Sequence, residues 1–524
     1  MVDSLRRGVW RRWGLWLVMC GWSATAFAEE PLAARIAAVI QAPEFQHAHW
    51  GIQVVSLRTG ATVYELNPQH LFAPASVTKL YSVAAALDAF GAEHRFETPV
   101  YARGAIGEQG ELVGDLILIA TGDLTLGGRT TPDGQIAFTN SDHTYANGGD
   151  KGELTAPNPL AGLEELAHQV AAAGIKRLAG DVLIDDRLFD QETGTGSGPR
   201  RVTPIVVNDN LIDLTITPTE PGSSARVDWR PQSALIQVDA QVTTVASGEP
   251  LVTTLQGNDL HGIVLRGKIP AGHKPLLRVF EVPDPAAFAR GLFIEALRRA
   301  GVETVASPLS PHPPTTALPV RGDYSQVKQV ALLKSPPFAE QARLILKVSH
   351  NLQASSLPLL IAARHGERTL AEGLKRQAEF LHRAGVDVAS ISFGGGAGGA
   401  AADFVTPHAT VQLLRAMHTR PDAQTYRQAL PILGVDGTLA EAVAADSPAR
   451  GQVMAKTGTL YWDNLLTGKV LLTSKALAGY TTTPQGEPLA FALFVNNVHL
   501  SNSTETARIG RVLGKLAEAV YRGE

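Results

Sequence analysis

The chain has 524 residues, which allows about three to five domains, or one large domain with insertions. Its net charge is −4, with 44% apolar and 18% charged residues. This balance is ordinary for a globular protein with a large core, and it excludes the basic footprint of a nucleic-acid-binding protein. The 50 glycines and 32 prolines favour many turns over a simple helical bundle.

The N-terminus has the order of features that is typical of a secretory signal peptide. Four arginines from Arg6 to Arg12 precede a short apolar stretch around Leu15–Met19, and Ala26-Phe27-Ala28 has the small residues of a cleavage site. The apolar stretch is too short to span a bilayer comfortably, so a signal peptide over residues 1–28 is favoured over a membrane anchor. Export to the periplasm is predicted. The twin-arginine route and peripheral membrane association stay open.

Cys20 is the only cysteine, and it lies inside this segment. The mature chain is therefore predicted to have no disulfide, no thiolate metal site and no cysteine nucleophile. The 15 histidines show no paired spacing of the His-Glu-x-x-His kind, so no metal site is predicted from them either.

The first part of the mature chain predicts a pair of strands followed by a helix. Trp50–Leu57 and Ala61–Leu66 are strand-like and are separated by a short turn that contains glycine. After Pro74, apolar residues recur at helical spacing. Ser76–Phe90 is therefore predicted to be a helix with one buried face.

Short β-like segments, punctuated by Gly, Pro, Asn and Asp, dominate residues 96–319. We interpret this region as one or two inserted β-rich domains, and two are favoured. Helical patterns at Leu160–Ala173 and Ala286–Ala300 interrupt it. The predicted strands are Leu116–Ala120, Val182–Ile184, Leu211–Ile216, Ala234–Val238 and Val252–Leu255.

The last third of the chain returns to helices and apolar strands. Ser335-Pro336-Pro337 opens a helix that runs through Val348, and another helix follows Asn351. An amphipathic helix closes the chain. The predicted strands are Gln452–Leu460, Lys475–Thr481 and Leu489–Asn496. Residues 29–95 and 320–524 are therefore predicted to form one discontinuous domain, a mixed sheet built from both ends of the chain and flanked by helices. The fold class is α+β.

Ser76 and Lys79 are the first candidates for catalytic chemistry. Three residues apart on a helix, their side chains share a face, so the amine can reach the hydroxyl. A serine is a weak nucleophile until a base takes its proton, and a lysine with a lowered pKa can be that base. The tetrad alone is weak evidence, because Ser325 and Lys328 repeat it. Ser76 is preferred because it opens a strong amphipathic helix after a proline-bearing turn.

Two further motifs follow in the chain. Ser349 and Asn351 flank His350 between two predicted helices; they have the residue types of a helix cap, and they also have the groups that pass protons and hold a substrate amide. Lys456-Thr457-Gly458-Thr459 lies on an apolar strand. Its side chains suit a carboxylate, and Gly458 admits a ligand close to the backbone, although a strand ending in a turn is an equal alternative. The three motifs in this order are much more specific than any one of them.

On these motifs the chain resembles the class C, low-molecular-mass penicillin-binding proteins, which are D-alanyl-D-alanine carboxypeptidases and endopeptidases of the bacterial periplasm or cell surface. The resemblance covers essentially the whole mature chain, and inserted domains in that family account for the long separation of Ser76 from Ser349. The supporting segments are 73–80, 114–118, 180–182, 208–210, 335–352, 434–439 and 455–460.

The resemblance implies a β-lactamase-like peptidase domain that works through an acyl-enzyme. Ser76 would attack the penultimate D-alanine carbonyl of a peptidoglycan stem peptide, and penicillins would acylate the same serine. The N–H groups of Ser76 and Thr459 would form the oxyanion hole. No metal or organic cofactor is implied, and the oligomeric state stays open. The implied catalytic residues are Ser76, Lys79 (the base), Ser349, Asn351 and Lys456; the implied substrate-binding residues are Thr457, Gly458 and Thr459.

Two segments depart from the family pattern. Gly394–Gly399 replaces a segment that carries serines and an arginine in the family, and it is expected to be flexible. Tyr461–Thr473 lengthens the turn after the Lys-Thr-Gly strand. Both leave substrate choice and turnover open, so a β-lactamase or esterase on the same scaffold and a slow wall-binding protein remain alternatives to the peptidase. His408 is interpreted as a cap or surface residue, and Asp436 as a turn residue.

Overall fold

The computed structural model describes residues 31–523, so the predicted signal peptide and Cys20 lie outside the described residues. None of the helices in this range combines the length and the apolar character needed to cross a bilayer. The α-helices are α1 (Leu32–Ile40), α2 (Thr78–Phe90), α3 (Ala161–Ala172), α4 (Pro285–Arg299), α5 (Phe338–Val348), α6 (Asn351–Arg364), α7 (Leu370–Arg383), α8 (Pro407–His418), α9 (Ala423–Gln428) and α10 (Thr506–Arg522).

The strands are β1 (His49–Ser56), β2 (Thr62–Leu66), β3 (Glu97–Ile106), β4 (Glu111–Ile119), β5 (Arg177–Leu178), β6 (Val182–Asp185), β7 (Glu192–Thr193), β8 (Arg201–Val202), β9 (Leu211–Thr217), β10 (Arg226–Arg230), β11 (Val238–Val245), β12 (Val252–Gln256), β13 (Ile263–Pro270), β14 (Leu276–Glu281), β15 (Glu303–Thr304), β16 (Lys328–Lys334), β17 (Ile391–Ser392), β18 (Phe404–Val405), β19 (Val453–Asn464), β20 (Lys469–Thr482), β21 (Pro488–Asn496) and β22 (Val498–Leu500).

One six-stranded sheet joins the two ends of the chain. Its order is β19-β20-β21-β1-β2, and β22 adds to the outer part of β20. β1 pairs with β21 from His49 opposite Asn496 to Ser56 opposite Leu489. Every pairing in this sheet is antiparallel. The prediction that both ends of the chain build one sheet is therefore confirmed, but the sheet is antiparallel throughout and not mixed.

Both faces of this sheet are covered by helices. Phe491, Leu493 and Val495 of β21 belong to a core cluster with residues of α1 and α10. Ala490 and Ala492, which alternate with them, belong to a cluster with residues of α2, α5 and α8 on the opposite face. Because successive side chains of a strand point to opposite faces, a strand buried on both sides becomes continuously apolar, as the sequence of β21 is.

The inserted region has its own sheets. They are β15-β5-β4-β3-β16 with β6 beside β4, β10-β9-β14, and β11-β13-β12. One core cluster serves them, and its buried members run from Val100 to Ala331. β16 lies after the boundary predicted at 319 and pairs with β3. The boundaries of the insertion stay predictions.

One strand prediction in this region is wrong. Ala234–Val238 is irregular up to Gln237, and β11 begins only at Val238. Leu235 and Ile236 lie in or beside a turn, and their side chains are buried in the core of the insertion. Leu235 packs against Gly291 of α4. The apolar run therefore reflects burial and not strand pairing, a distinction that periodicity cannot make in so short a segment.

An ion pair between buried Arg290 and partly exposed Asp181 lies in the insertion. Arg290 of α4 is 1% exposed, and its guanidinium donates to Asp181 at 2.7, 2.9 and 3.0 Å. Its remaining nitrogen donates to the carbonyls of Ser307 and Ser310. Removing one partner of such a pair leaves an uncompensated charge in the interior.

We expect Asp181→Ala to lower the free energy of unfolding by about 3 to 5 kcal/mol, because Arg290 would stay buried without its counter-ion. Denaturation by urea measures this loss. The control is Asp228→Ala, which removes the partner of exposed Arg226 and should cost no more than about 1 kcal/mol. Equal losses in the two variants would contradict the assignment.

Candidate active site

Ser76 lies in a tight turn just before the helix on which it was predicted. Ala75–Val77 forms a 3-10 turn, and α2 begins at Thr78. Ala75 has a φ of 46°, in the left-handed region that costs a residue with a side chain roughly 1 to 2 kcal/mol. Such strain persists only where the surroundings impose it, and it is typical of functional sites.

Ala73, two residues before the strained Ala75, is hydrogen-bonded to the central sheet. The Ala73 N–H donates to Asn496 Oδ1 at 2.9 Å, and the Ser474 hydroxyl donates to the Ala73 carbonyl at 2.6 Å. Both partners lie on the central sheet, at β21 and β20. The position of Ser76 is therefore fixed by the sheet as well as by its own helix.

Three oxygens surround the amine of Lys79, which is fully buried. Nζ lies 2.7 Å from Ser76 Oγ, 2.8 Å from Asn351 Oδ1 and 2.8 Å from the carbonyl oxygen of Ala397. The structure thus brings the first and second motifs together as the sequence predicted. Ala397 was not predicted, because a backbone acceptor leaves no signal in the residue type.

The surroundings of Lys79 favour its neutral form. Burial lowers the pKa of Lys79 well below its usual value, and the positive charge of Lys456 lowers it further. The Asp403 carboxylate acts in the opposite direction without reversing the shift. An amine with a depressed pKa can accept a proton at neutral pH, which an ordinary lysine cannot.

The Gly394–Gly399 segment is packed against α2, and the expectation of a flexible loop is wrong. Its residues from Gly395 to Gly399 are buried. Ser82 of α2 donates to the carbonyl of Gly396 at 2.8 Å. Gly398 has a φ of 90°, and a Cβ there would lie 1.8 Å from the Ala75 carbonyl oxygen. Glycine is required by this close approach, so here it marks contact and not mobility.

Asp403 closes this segment into a loop. Its two carboxylate oxygens accept from the N–H groups of Gly394 and Ala400, both at 2.8 Å. Burial raises the pKa of Asp403 to about 6, although the two N–H groups and Lys79 oppose the rise. The carboxylate thereby holds the Ala397 carbonyl in place beside Lys79.

Ser349 and Lys456 form a second pair beside the first. Ser349 ends α5 with a φ of 65°, and Lys456 Nζ donates to its Oγ at 2.9 Å and to the Thr457 carbonyl at 2.8 Å. Burial, aided by the charge of Lys475, lowers the pKa of Lys456 to about 7. Tyr145 from the inserted region donates its hydroxyl to the Ser349 carbonyl.

The Lys-Thr-Gly strand is β19, at the edge of the central sheet. A Cβ on Gly458 would lie 2.4 Å from the Pro74 carbonyl oxygen, so this glycine admits the nucleophile segment itself. The Thr457 hydroxyl donates to Thr438 at 2.7 Å. Asp436, interpreted as a turn residue, does lie in a turn and also accepts from Lys347 at 2.6 and 2.8 Å.

The Tyr461–Thr473 insertion lengthens the strands and not the turn, contrary to the prediction. β19 runs on to Asn464 and β20 begins at Lys469, so only four residues form the turn. Tyr461 and Trp462, whose residue types favour strands, pair with Leu472 and Leu471. Tyr461 thereby reaches the mouth of the catalytic cavity.

All three motifs line one cavity, which has a volume of about 680 Å³. Ser76, Ser349, Asn351, Thr457 and Thr459 line it. The inserted region contributes Tyr145 and Ser197, which sequence patterns did not identify. The second Ser-x-x-Lys tetrad is elsewhere: Ser325 and Lys328 are exposed and lie in a turn and at the start of β16. His408 lies in the first turn of α8, which fits its predicted structural role.

A buried network of charges connects the inserted region with the second motif. Arg129 donates to Asp142 at 2.8 and 3.0 Å and to Asp209 at 2.9 Å. His143 lies between Asp209 and Asp213, with its two ring nitrogens 2.9 and 2.6 Å from their oxygens. Since both ring nitrogens face carboxylates, both must donate, which is the protonated form.

The charges of this network balance. Burial alone would lower the pKa of His143, but Asp213 and Asp209 outweigh it and raise the pKa to about 9. Three carboxylates then face two arginines and one imidazolium, because Arg230 donates to Asp213 at 3.1 Å. A balanced network of this kind can remain buried, whereas a single unpaired member could not.

His350 is the link from this network to Ser349 and Asn351. It is fully buried, and its Nδ1 accepts from the Gln353 N–H at 3.4 Å as the cap of α6. Nε2 therefore carries the proton and donates to Asp209 at 2.9 Å. His350, the middle residue of the second motif, thus fixes the turn on which Ser349 and Asn351 lie.

Comparison with known proteins agrees with this geometry. Residues 32–516 match the D-Ala-D-Ala carboxypeptidase 3 (S13) family. The chain belongs to this family. A D-alanyl-D-alanine carboxypeptidase of Actinomadura sp. (strain R39) is 30% identical over 486 residues, which cover 88% of this chain and 80% of that protein. D-alanyl-D-alanine carboxypeptidase DacB of Haemophilus influenzae is 25% identical over 491 residues, which cover 90% and 91% of the two chains.

The fold is also that of a known structure. The crystal structure of penicillin binding protein 4 (dacB) from Haemophilus influenzae superimposes with a TM-score of 0.69 at 21% identity, covering 93% of this chain and 99% of that one. The resemblance to D-alanyl-D-alanine peptidases, the α+β fold class and the assignment as a serine-type hydrolase of the S13 family are therefore confirmed. No group of three or more His, Cys, Asp or Glu side chains within residues 31–523 is placed to hold a metal ion.

We expect the free energy of unfolding to respond to pH through His143. Its pKa is raised in the fold to about 9. The stability it contributes is therefore full below about pH 6.5, its unfolded pKa, and is lost as the pH rises through the folded value. His143→Gln cannot take the proton. The measurement is the difference in unfolding free energy between wild type and variant, because Lys456 titrates in the same range with the opposite sign. A difference that stays flat between about pH 6 and pH 10 would contradict a protonated His143.

Proposed function

We propose that this protein is a serine D-alanyl-D-alanine carboxypeptidase or endopeptidase that acts on peptidoglycan stem peptides through an acyl-enzyme on Ser76. The observation that carries the proposal is the position of Lys79 Nζ, 2.7 Å from Ser76 Oγ and in contact with two further oxygens. These two oxygens, Asn351 Oδ1 and the Ala397 carbonyl, orient the Lys79 amine so that it can accept the proton of the Ser76 hydroxyl.

The amide oxygen of Asn351 and the carbonyl oxygen of Ala397 can only accept hydrogen bonds. The two hydrogens of a neutral Lys79 amine are therefore directed to them, which leaves the lone pair facing the Ser76 hydroxyl. The lone pair takes the serine proton as Oγ attacks the carbonyl of the scissile bond. The resulting ammonium then has three acceptors for its three hydrogens, so both protonation states of Lys79 are satisfied at one position.

The other motif residues act on the substrate. Lys456 donates its own proton to the leaving amine through the Ser349 hydroxyl, because Ser349 Oγ accepts from Lys456 and lines the cavity. Thr459 donates to the carboxylate of the leaving residue, Thr457 lies beside it in the cavity, and Gly458 keeps β19 close to the nucleophile segment. The N–H groups of Ser76 and Thr459 receive the developing oxyanion. Water then releases the acyl group.

The proposed location is the periplasm, reached through removal of residues 1–28, and the proposed partners are stem peptides and β-lactam antibiotics. A Haemophilus influenzae relative has been crystallised in complex with a β-lactam, which supports penicillins as inhibitors of this chain. The arrangement needs no metal or organic cofactor. The alternatives are a β-lactamase or esterase and a slow wall-binding protein; the closely packed Lys79 environment favours an active enzyme over the last.

A fluorescent penicillin tests the nucleophile. We expect wild type to become covalently labelled and Ser76→Ala to lose the label, because Ser76 is the serine within residues 31–523 that hydrogen-bonds to Lys79. Ser325→Ala is the matched control: it belongs to the same tetrad pattern but is exposed, and it should label like wild type. Digestion and mass spectrometry locate the adduct, and release of D-alanine from a pentapeptide gives the peptidase activity.

The outcomes separate the candidate functions. Stable labelling with release of D-alanine supports the peptidase, and cleavage of a cross-linked muropeptide gives the endopeptidase share. Rapid loss of the label with turnover of penicillin would indicate a β-lactamase. A folded protein that is neither labelled nor active on either peptide would support the wall-binding alternative.

Asp403→Ala tests the role of the glycine-rich loop. Without the carboxylate, the N–H groups of Gly394 and Ala400 lose their acceptor, so the Ala397 carbonyl no longer holds Lys79. We expect the second-order rate of acylation by a penicillin to fall by about tenfold or more, since a positioned base contributes at least that much. Asp387→Ala is the control, because Asp387 also accepts from a loop N–H, that of Ala389, but away from the cavity. Acylation of Asp403→Ala at the rate of wild type would show that the loop does not position the base.

A further inference from the structure

Lys475 is a buried cation for which residues 31–523 provide no carboxylate partner. It lies on β20, is 9% exposed, and its Nζ donates to Thr459 Oγ1 at 2.8 Å. Burial alone lowers the pKa of Lys475 to about 8, with no nearby carboxylate to oppose the shift. At neutral pH the side chain therefore remains mostly charged. A buried charge without a counter-ion is costly, and proteins retain it where a ligand supplies the opposite charge.

The position of Lys475 directs its ammonium towards the catalytic cavity. It is in register with Thr459 on the neighbouring strand β19, so the two side chains project from the same face of the sheet. α10 closes over them: a Cβ on Gly510 would lie 3.3 Å from Cε and 3.4 Å from Nζ of Lys475. The cavity that contains Ser76 is lined by Thr459, Lys475 and Gly510 as well. Lys475 and Ser76 therefore line the same cavity.

Lys475 also determines the direction of a hydroxyl. An ammonium group has only donors, so Thr459 Oγ1 must accept from it and the hydroxyl hydrogen of Thr459 must point elsewhere. The hydroxyl of Thr457, by contrast, already donates to Thr438 at 2.7 Å. Thr459 is therefore the threonine whose hydrogen is free for a ligand, and it has a positive charge directly behind it. Hydrogen bonds to charged groups are shorter and stronger than neutral ones.

The geometry points to Lys475 as a specificity-determining residue, which holds Thr459 as a donor and provides the positive charge for a free carboxylate on the residue that leaves. The inference rests on the proposed function and adds a residue to it: Lys475 sets how strongly the site prefers peptides whose residue C-terminal to the scissile bond has a free carboxylate. Substrates in which this carboxylate is esterified would lose the interaction.

A different role for Lys475 would have a different signature. Its charge lowers the pKa of Lys456, so it could act on proton transfer and not on substrate choice. A change in proton transfer affects every substrate in the same proportion. Loss of a carboxylate contact affects only substrates that have the carboxylate, so comparing two substrates separates the two roles.

The experiment compares an N-acyl-D-alanyl thioester of thioglycolate with its methyl ester, which differ only in the free carboxylate. Purified mature protein is assayed as wild type, Lys475→Met and Lys475→Arg. For Lys475→Met we expect the ratio of kcat/KM for the acid to that for the ester to fall by about tenfold or more. Lys475→Arg keeps the charge and should restore most of this ratio. Thr459→Val, which removes the hydroxyl but leaves the lysine, is a second variant and should lower the same ratio even if Lys475→Met does not fold.

An unchanged ratio in folded Lys475→Met would overturn the inference, and so would an equal loss for acid and ester. Failure of the proposed function would look different. In that case wild type itself would hydrolyse neither thioester and would not be labelled by a penicillin at Ser76, which would overturn both proposals together.

Discussion

The active site depends on keeping one lysine neutral inside the protein. Lys79 is fully buried, is contacted by three oxygens of which none belongs to a carboxylate, and has the charge of Lys456 nearby. A carboxylate in contact with Nζ would stabilise the ammonium and remove the base. The nearest acidic influence, Asp403, is instead occupied with two backbone N–H groups. The glycine-rich loop therefore provides shape and a carbonyl acceptor without the charge that would inactivate the amine.

The inserted region is part of the machinery and not an appendage to it. Asp209 belongs to a turn of the insertion, yet it fixes His350 and so the turn between Ser349 and Asn351. Tyr145 contacts the same turn from another loop. Because the network behind them is buried and balanced in charge, it has little freedom to rearrange. The turn between Ser349 and Asn351 is thus held in place by residues of the insertion that are far away in sequence.

Local patterns predicted the elements and motifs well, and they failed where tertiary contact decides. The ends of α3 and α4 differ from the predicted helices by only a residue or so, because helical periodicity is a local property. The glycines of 394–399 were taken for flexibility, whereas Gly398 is required by the Ala75 carbonyl, a residue remote in sequence. Lys475 escaped attention because a single lysine in an apolar strand has no pattern. Its role becomes visible only from its hydrogen bond to Thr459 on β19 and from its packing against α10.

The topology of the central sheet has a consequence for how the molecule matures. Ala73, next to the nucleophile turn, is held by Asn496, which is 423 residues further along the chain. β1 likewise pairs with β21, which lies near the end of the chain. The insertion between them has its own core and its own sheets. Contacts of such long range form late, because the loop that they close must be ordered first. Until β20 and β21 are in place, Ala73 lacks its partners Ser474 and Asn496, so the turn that contains Ser76 is assembled only when these late strands have joined the sheet.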